Sequence, residues 1–176
     1  SMCVMKHVGV NVAADVLMTL AYVGVRAGMV ILSADDPFMF SSQNEQDNRY
    51  YAKLSGLPML EPSSVAEAKN MVADAFDLSE KLQEPVLFRT TTRINHSTGV
   101  VTLNDIRERV TKGNFTKDPI NLVVVPAVAR NLHVKLLKNF DAARELAEKS
   151  EHNFITGSGK RGIICNGVSY NYVSDA

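Results

Sequence analysis

The sequence predicts an α/β fold, a mostly parallel sheet flanked by helices. Short β-branched apolar runs, such as Met29-Val30-Ile31-Leu32 and Pro85-Val86-Leu87-Phe88, are separated by stretches of helical composition. One such stretch, residues 11–25, is almost wholly apolar or small, as a helix buried on several faces would be. Another, residues 65–82, repeats Val65, Ala68, Val72, Ala75, Phe76 and Leu82 mostly at three- and four-residue steps, which makes one apolar face.

Taken in order, residues 3–5 read as a short extended start and residues 6–9 as a turn. Asn11 is placed to cap the helix over 11–25, because its side-chain oxygen can accept an orphan backbone N–H of the first turn. Residues 24–28, bounded by Gly24 and Gly28, close that helix, and residues 29–33 form the next strand. A polar loop follows, then a helix over 43–54 that ends at Gly56, and a short strand at Met59-Leu60. Ser63 or Ser64 caps the helix over 65–82, since Ser64 and Glu67 have capping-box spacing. Residues 85–90 supply a further strand. From Asn95 the character changes: residues 100–118 read as an irregular connector and 122–125 as a strand-like run. Residues 127–149 make a long amphipathic helix whose seam is Leu132, Leu136, Leu137, Phe140, Ala143 and Leu146, suited to lying across a surface. A Gly/Ser linker over 153–161 leads to a strand at 162–167 and the first helical turns of 168–176.

The bulk numbers narrow the function classes. At 176 residues the chain fits one domain, or one domain with pieces of another. Nineteen lysines and arginines cancel nineteen aspartates and glutamates, which leaves no electrostatic footprint for nucleic acid or an anionic membrane. Cys3 and Cys165 belong to no CxxC or Cys/His cluster, so neither a zinc site nor a disulfide framework is expected; a reduced cytoplasmic setting fits better. No apolar run approaches the roughly 20 residues of a membrane span, and no signal peptide is visible. The opening Ser1-Met2, and a strand-helix unit that has just begun at residue 162, together suggest a piece of something larger.

In open parallel sheets ligands sit at the carboxyl ends of the strands. Two loops fit that position here. One is Lys6-His7-Val8-Gly9-Val10-Asn11, which offers a cation and a general acid–base group. The other, residues 34–49, offers Asp35, Asp36, Ser41, Ser42, Gln43, Asn44, Glu45, Asp47 and Arg49. Its aspartates can accept bonds from a ligand or hold a divalent metal, or they can simply cap the next helix and turn the chain at Pro37. A lone histidine beside a turn glycine can equally be structural. His96 ends another strand and could approach the same rim, whereas His133 on the amphipathic helix packs or faces solvent. The stretch GSGKRG at 157–162 lacks the glycine spacing of a phosphate loop.

The wording of the chain carries a further signal. MKHVGVNVAADVLMTLAYVGVRAG, SADDP, SSQNEQDNRYYAK, LPMLEPSS and VLFRTTTRINHSTG closely resemble the large (alpha) subunit of indolepyruvate ferredoxin oxidoreductases. The likeness continues more thinly through VVVPAVARNLHVKLL to GIICNGVSYNYV. It implies part of an anaerobic enzyme that oxidatively decarboxylates aryl 2-oxo acids to acyl-CoA and passes electrons to ferredoxin. Thiamine diphosphate with Mg2+ supplies the carbanion chemistry in that superfamily, 4Fe–4S clusters take the electrons, and a smaller beta subunit completes the enzyme. The resemblance implies that residues 1–98 are the later half of a pyrimidine-binding domain, 99–156 a connector, and 157–176 the start of a transketolase-C-terminal-like domain. The activating glutamate, the diphosphate- and Mg2+-binding domain and the cluster cysteines are missing, so this piece alone is expected to be inactive and to bind no cofactor. Lys6, His7, Asn11, Asp35, Asp36, Ser41, Ser42, Gln43 and Asn44 become candidates for lining the substrate and cofactor.

The chain also departs from the family. After Asp36-Pro37 the family usually carries a glycine and, two residues later, a histidine; here Phe38 and Phe40 stand there. A phenylalanine at a glycine position needs negative φ or accepts strain. The two rings could line an aromatic pocket or lie on a surface left bare by missing domains. A competing reading of the whole chain is a non-catalytic α/β module that oligomerises through the helix over 11–25, and either way self-association is expected.

Overall fold

A computed structural model of the chain describes residues 1–106 and 113–176, so part of the expected connector at 100–118 lies outside the described residues. Four strands form one sheet: β1 (Met2–Lys6), β2 (Val30–Asp35), β3 (Met59–Leu60) and β4 (Val86–Thr91). Their order is β1-β2-β4-β3 and every pairing is parallel, which bears out the α/β expectation. The register sets Lys6 beside Ala34 and Asp35 beside Thr91, so the carboxyl ends of β1, β2 and β4 finish level.

Both faces of the sheet are covered, which is why β2 and β4 are apolar over most of their length. On one face Ile31 and Leu87 pack with Val10, Leu17, Ala21, Leu57 and Leu136. These come from helices α1 (His7–Val12), α2 (Ala14–Val23) and α7 (Pro126–Glu148), and from the turn after α3 (Arg49–Ser55). On the other face Val30, Val86 and Phe88 pack against Met71 and Ala75 of α4 (Val65–Leu82). Short helices α5 (Thr92–Asn95), α6 (Pro119–Leu122) and α8 (Ser169–Ser174) complete the described elements.

Helix α4 starts as the sequence predicts: Ser64 Oγ accepts from the Glu67 backbone N–H at 3.1 Å. The Glu67 carboxylate reaches back to Ser63 N at 2.5 Å. Helix α7 also lies where expected, burying Leu132 and Leu136 while Leu137 and Phe140 stay half exposed.

Several boundaries differ from expectation. The helix predicted over 11–25 begins four residues earlier, directly after β1, and breaks at Ala13 (φ −88°, ψ 10°). Lys6 is its extended N-cap, and Asn11, inside α1, caps nothing; its Oδ1 accepts from the Tyr51 hydroxyl at 2.5 Å. Gly9 permits this early start, because a Cβ there would sit 2.9 Å from Met5 Cβ. Nor is the pair α1–α2 buried on several faces: Val12 and Val16 are 88% and 66% exposed, on the side that the sheet, α3 and α7 leave uncovered. Helix α3 begins at Arg49 rather than residue 43, because the backbone of the intervening residues is drawn into tertiary bonds. Residues 123–125 follow α6 without joining a sheet, and 162–167 pair with no strand among the described residues; Ile163 and Ile164 are exposed. A lone extended segment with no ladder partner has nothing to hold it as a strand.

Candidate functional site

The level carboxyl ends of β1, β2 and β4 carry a dense set of buried polar groups. His7, Ser33, Asp35, Asp36, Asn48, Arg89, Thr90 and Thr91 are all buried there. Burial of so many polar groups is tolerated only where they bond to one another.

Arg89 is the hub. Its Nε donates to Asp35 Oδ2 at 2.7 Å and its Nη1 to Glu61 Oε1 at 2.6 Å, with Asp47 Oδ1 3.9 Å from Nη2. Ser33 Oγ donates to Asp35 Oδ1 at 2.6 Å and accepts from Asn48 Nδ2 at 2.6 Å. The Asn48 backbone N–H completes the Asp35 shell at 3.0 Å. Glu61 shows what this costs: burial raises its carboxyl above the usual range, and the neighbouring Arg89 and Arg49 only partly oppose that. Asp47 is held below the usual range, chiefly by its hydrogen bonds from Arg49.

A second cradle surrounds Asp36. Its carboxylate accepts from Ser42 Oγ at 2.5 Å, Ser41 N at 2.9 Å and Phe40 N at 3.1 Å. These bonds, the Ser42 hydroxyl foremost, hold its pKa below the usual value, and the Lys6 ammonium 3.8 Å away adds to the effect. Lys6 Nζ donates to the Ser41 carbonyl at 2.9 Å. His7 Nε2 lies 3.1 Å from the Asn44 carbonyl, which can only accept, so Nε2 carries a proton and donates it there. The His7 Nδ1 is buried with no hydrogen-bond partner, as are Asn48 Oδ1, Thr90 Oγ1 and Thr91 Oγ1.

Between the two aspartates and these bonds the loop folds over itself. Pro37–Met39 is a tight turn in which Phe38 adopts φ 65°, ψ 11°, and Met39 follows at φ 54°. Phe38 N donates to Glu45 Oε2 at 2.8 Å. The rings of Phe38 and Phe40 face outward, 76% and 69% exposed, their centroids 5.8 Å apart at an interplanar angle of 60°.

The structure therefore brings Lys6, His7, Asp36, Ser41, Ser42 and Asn44 together, as the sequence suggested, with Asp35 adjoining through Asn48, which donates to both Asp35 and the His7 carbonyl, and Gln43 exposed beside them. Asn11 stands apart with Tyr51, His96 is exposed after α5, and His133 stacks on Tyr22 at 5.5 Å. Sequence reasoning missed Arg89, Glu61 and Asn48. An arginine inside the otherwise apolar strand VLFRTT was the available signal, since a buried charge must find partners. A cleft of about 800 Å³ lies elsewhere, on the β3 flank among α3, α4, α7 and the segment containing Cys165.

No family model matches the chain. Curated relatives do. It is 51% identical over 175 residues, 98% of its length, to "Indolepyruvate oxidoreductase subunit IorA" of Methanothermobacter thermautotrophicus. The identity to the subunits of the same name is 46% over 183 residues in Pyrococcus horikoshii and 48% over 178 in Archaeoglobus fulgidus, each covering 100% of the chain. The chain is IorA-like from end to end. It spans 28–29% of the length of these IorA subunits, which are named as parts of an oxidoreductase. Among the described residues no helix is long and apolar enough to cross a membrane.

Proposed function

We propose that this chain is the part of an IorA-type subunit that builds one wall of a 2-oxo acid site. The whole enzyme would oxidatively decarboxylate aryl 2-oxo acids such as indolepyruvate to acyl-CoA. Ferredoxin would accept the electrons in the cytoplasm, and a smaller beta subunit would complete the assembly. The single observation that carries this reading is 46–51% identity along nearly the whole chain to subunits named for indolepyruvate oxidation.

Thiamine diphosphate, Mg2+ and 4Fe–4S clusters belong to this reading, and the chemistry of the described residues bears on the cluster and the metal. Two cysteines cannot furnish the four thiolates of a cluster. Among the described residues no group of three or more His, Cys, Asp or Glu side chains is placed to bind a metal. Asp35, Asp36 and Glu61 already bond to residues of this chain. The remainder of the subunit or its partner would supply those groups.

What this chain contributes is placement. The Arg89 network pins the end of β2 to the end of β4 and to the approach to α3. The Asp36 cradle fixes the loop that projects from that rim. Lys6, whose side chain is partly exposed and whose ion pair with Asp36 is long at 3.8 Å, is available to a passing anion. The test is reduction of ferredoxin or a viologen dye by indolepyruvate and CoA, using the complete subunit that carries these residues, co-expressed anaerobically with its partner. Turnover that falls on Ser42→Ala supports the placement; absence of turnover with every 2-oxo acid refutes the function.

A further inference from the structure

The loop at the sheet's carboxyl end turns its polar groups inward and its aromatic groups outward. Asp36, Ser41 N, Ser42 and Glu45 are used within the loop, and the Ser41 and Asn44 carbonyls accept from Lys6 and His7. The tip thus presents Phe38 and Phe40, a tilted ring pair, with Met39 between them in the chain and Gln43 exposed nearby. Neither ring is held out by accident of a floppy segment. Phe38 and Met39 both sit in the left-handed region that side chains disfavour, and the four-bond anchoring by Asp36 and Glu45 keeps them there. A ring pair whose outer faces are exposed on a fixed turn, at the end of the sheet where ligands bind, suits a flat apolar group.

We infer that Phe38 and Phe40 are specificity-determining residues that grip the aryl side chain of the 2-oxo acid, an inference that rests on the function proposed above. The offset edge-to-face geometry that a 60° tilt and 5.8 Å separation leave open lets an indole or phenyl ring lie against one face and meet the edge of the other. The acid's carboxylate is bound by other groups, because the charges nearest the rings, the carboxylates of Glu45 and Asp36, are themselves negative. A linear alkyl 2-oxo acid gains no such ring contact, so these two side chains, which stand where the family usually has glycine and histidine, should add to the discrimination between aryl and alkyl substrates in this chain.

The experiment uses the assembled enzyme containing the complete subunit and compares kcat/KM for indolepyruvate with kcat/KM for 2-oxobutyrate. For Phe38→Ala/Phe40→Ala the aryl-to-alkyl ratio should drop by about tenfold or more, the range a hydrophobic pocket commands. Phe38→Leu/Phe40→Leu, which keeps apolar bulk but no ring face, should lie between. Both substitutions are at exposed positions, so the fold is not at stake. An unchanged ratio, or an equal fall with both acids, overturns the inference while leaving the enzyme's function standing. A parental enzyme that turns over neither acid sinks the function and the inference with it.

Discussion

Glu84 offers the sharpest test of how the structure distributes electrostatic cost. It sits at the entry to β4, 1% exposed, where its Oε1 accepts from Asn139 of α7 at 2.7 Å and its Oε2 has no partner. Burial pushes its carboxyl up from an ordinary 4.5 to about 7; the Asn139 bond and the Lys135 charge only partly oppose this. Between those two pH values the folded chain binds more protons at this site than the unfolded chain does. Stability contributed here is therefore fully present below about 4.5 and declines as pH rises through about 7. The difference between the two values corresponds to roughly 3 kcal/mol by alkaline pH, an upper figure for a group that can relax toward Lys135. Glu84→Gln keeps the shape and the acceptor for Asn139 but removes the ionisation. Urea denaturation followed by far-ultraviolet circular dichroism should give the variant similar stability to the parent at pH 4 and about 2–3 kcal/mol more at pH 8. A stability difference that does not change with pH would refute the reasoning. A variant that grows worse toward pH 8 would show instead that the carboxylate and Lys135 form a net stabilising pair.

Other outcomes follow from single features. Arg89→Met should destabilise the chain by about 3–5 kcal/mol in the same denaturation assay, because Asp35 and Glu61 are left buried without their cation; a loss below about 1 kcal/mol would mean water compensates them. Gly24→Ala should cost more than the about 1–3 kcal/mol of backbone strain alone, since φ +77° with ψ −172° is a conformation essentially confined to glycine and the added Cβ would lie 2.5 Å from the Gln83 carbonyl oxygen. The chain should self-associate, because among the described residues both sheet edges are unpaired, and Val12 and Val16 are exposed on the outer face. Light scattering should report a dimer or larger that Val12→Lys/Val16→Lys shifts toward monomer, and a monomeric parent would count against it.

Much of this was legible in the sequence wherever one physical signal dominated. Helix α4 was readable because Ser64, Glu67 and a regular apolar face agree with one another. Strands β2 and β4 were readable because a strand covered on both faces must be continuously apolar. The misread boundaries are places where tertiary bonding outweighs local composition. Residues 43–48 look helical, yet Asn44, Glu45 and Asn48 each bond to a group from another segment or turn, and the helix waits until Arg49. The early start of α1 turned on Gly9 meeting Met5, a contact that no local pattern records. In the site, the loop was found from its density of polar groups, whereas its hub, Arg89, was hidden in a strand that reads as core.

The rule that glycine occupies positive φ fails at Phe38 and Met39, and the manner of failure carries meaning. Each left-handed residue costs on the order of 1 kcal/mol, and a loop free to relax would not keep two in succession. The offset comes from a buried carboxylate, Asp36, that needs the Phe40 and Ser41 amides and the Ser42 hydroxyl as partners; only this turn brings all three to it. A buried carboxylate left unsatisfied costs more than the strain does, so the anion dictates the turn and the turn dictates where the rings point. Stability alone would be served as well by glycine at position 38, which meets the same φ at no steric cost. The side chain at that position is thus unexplained by the fold, and recognition of something outside the loop is the physical account that remains.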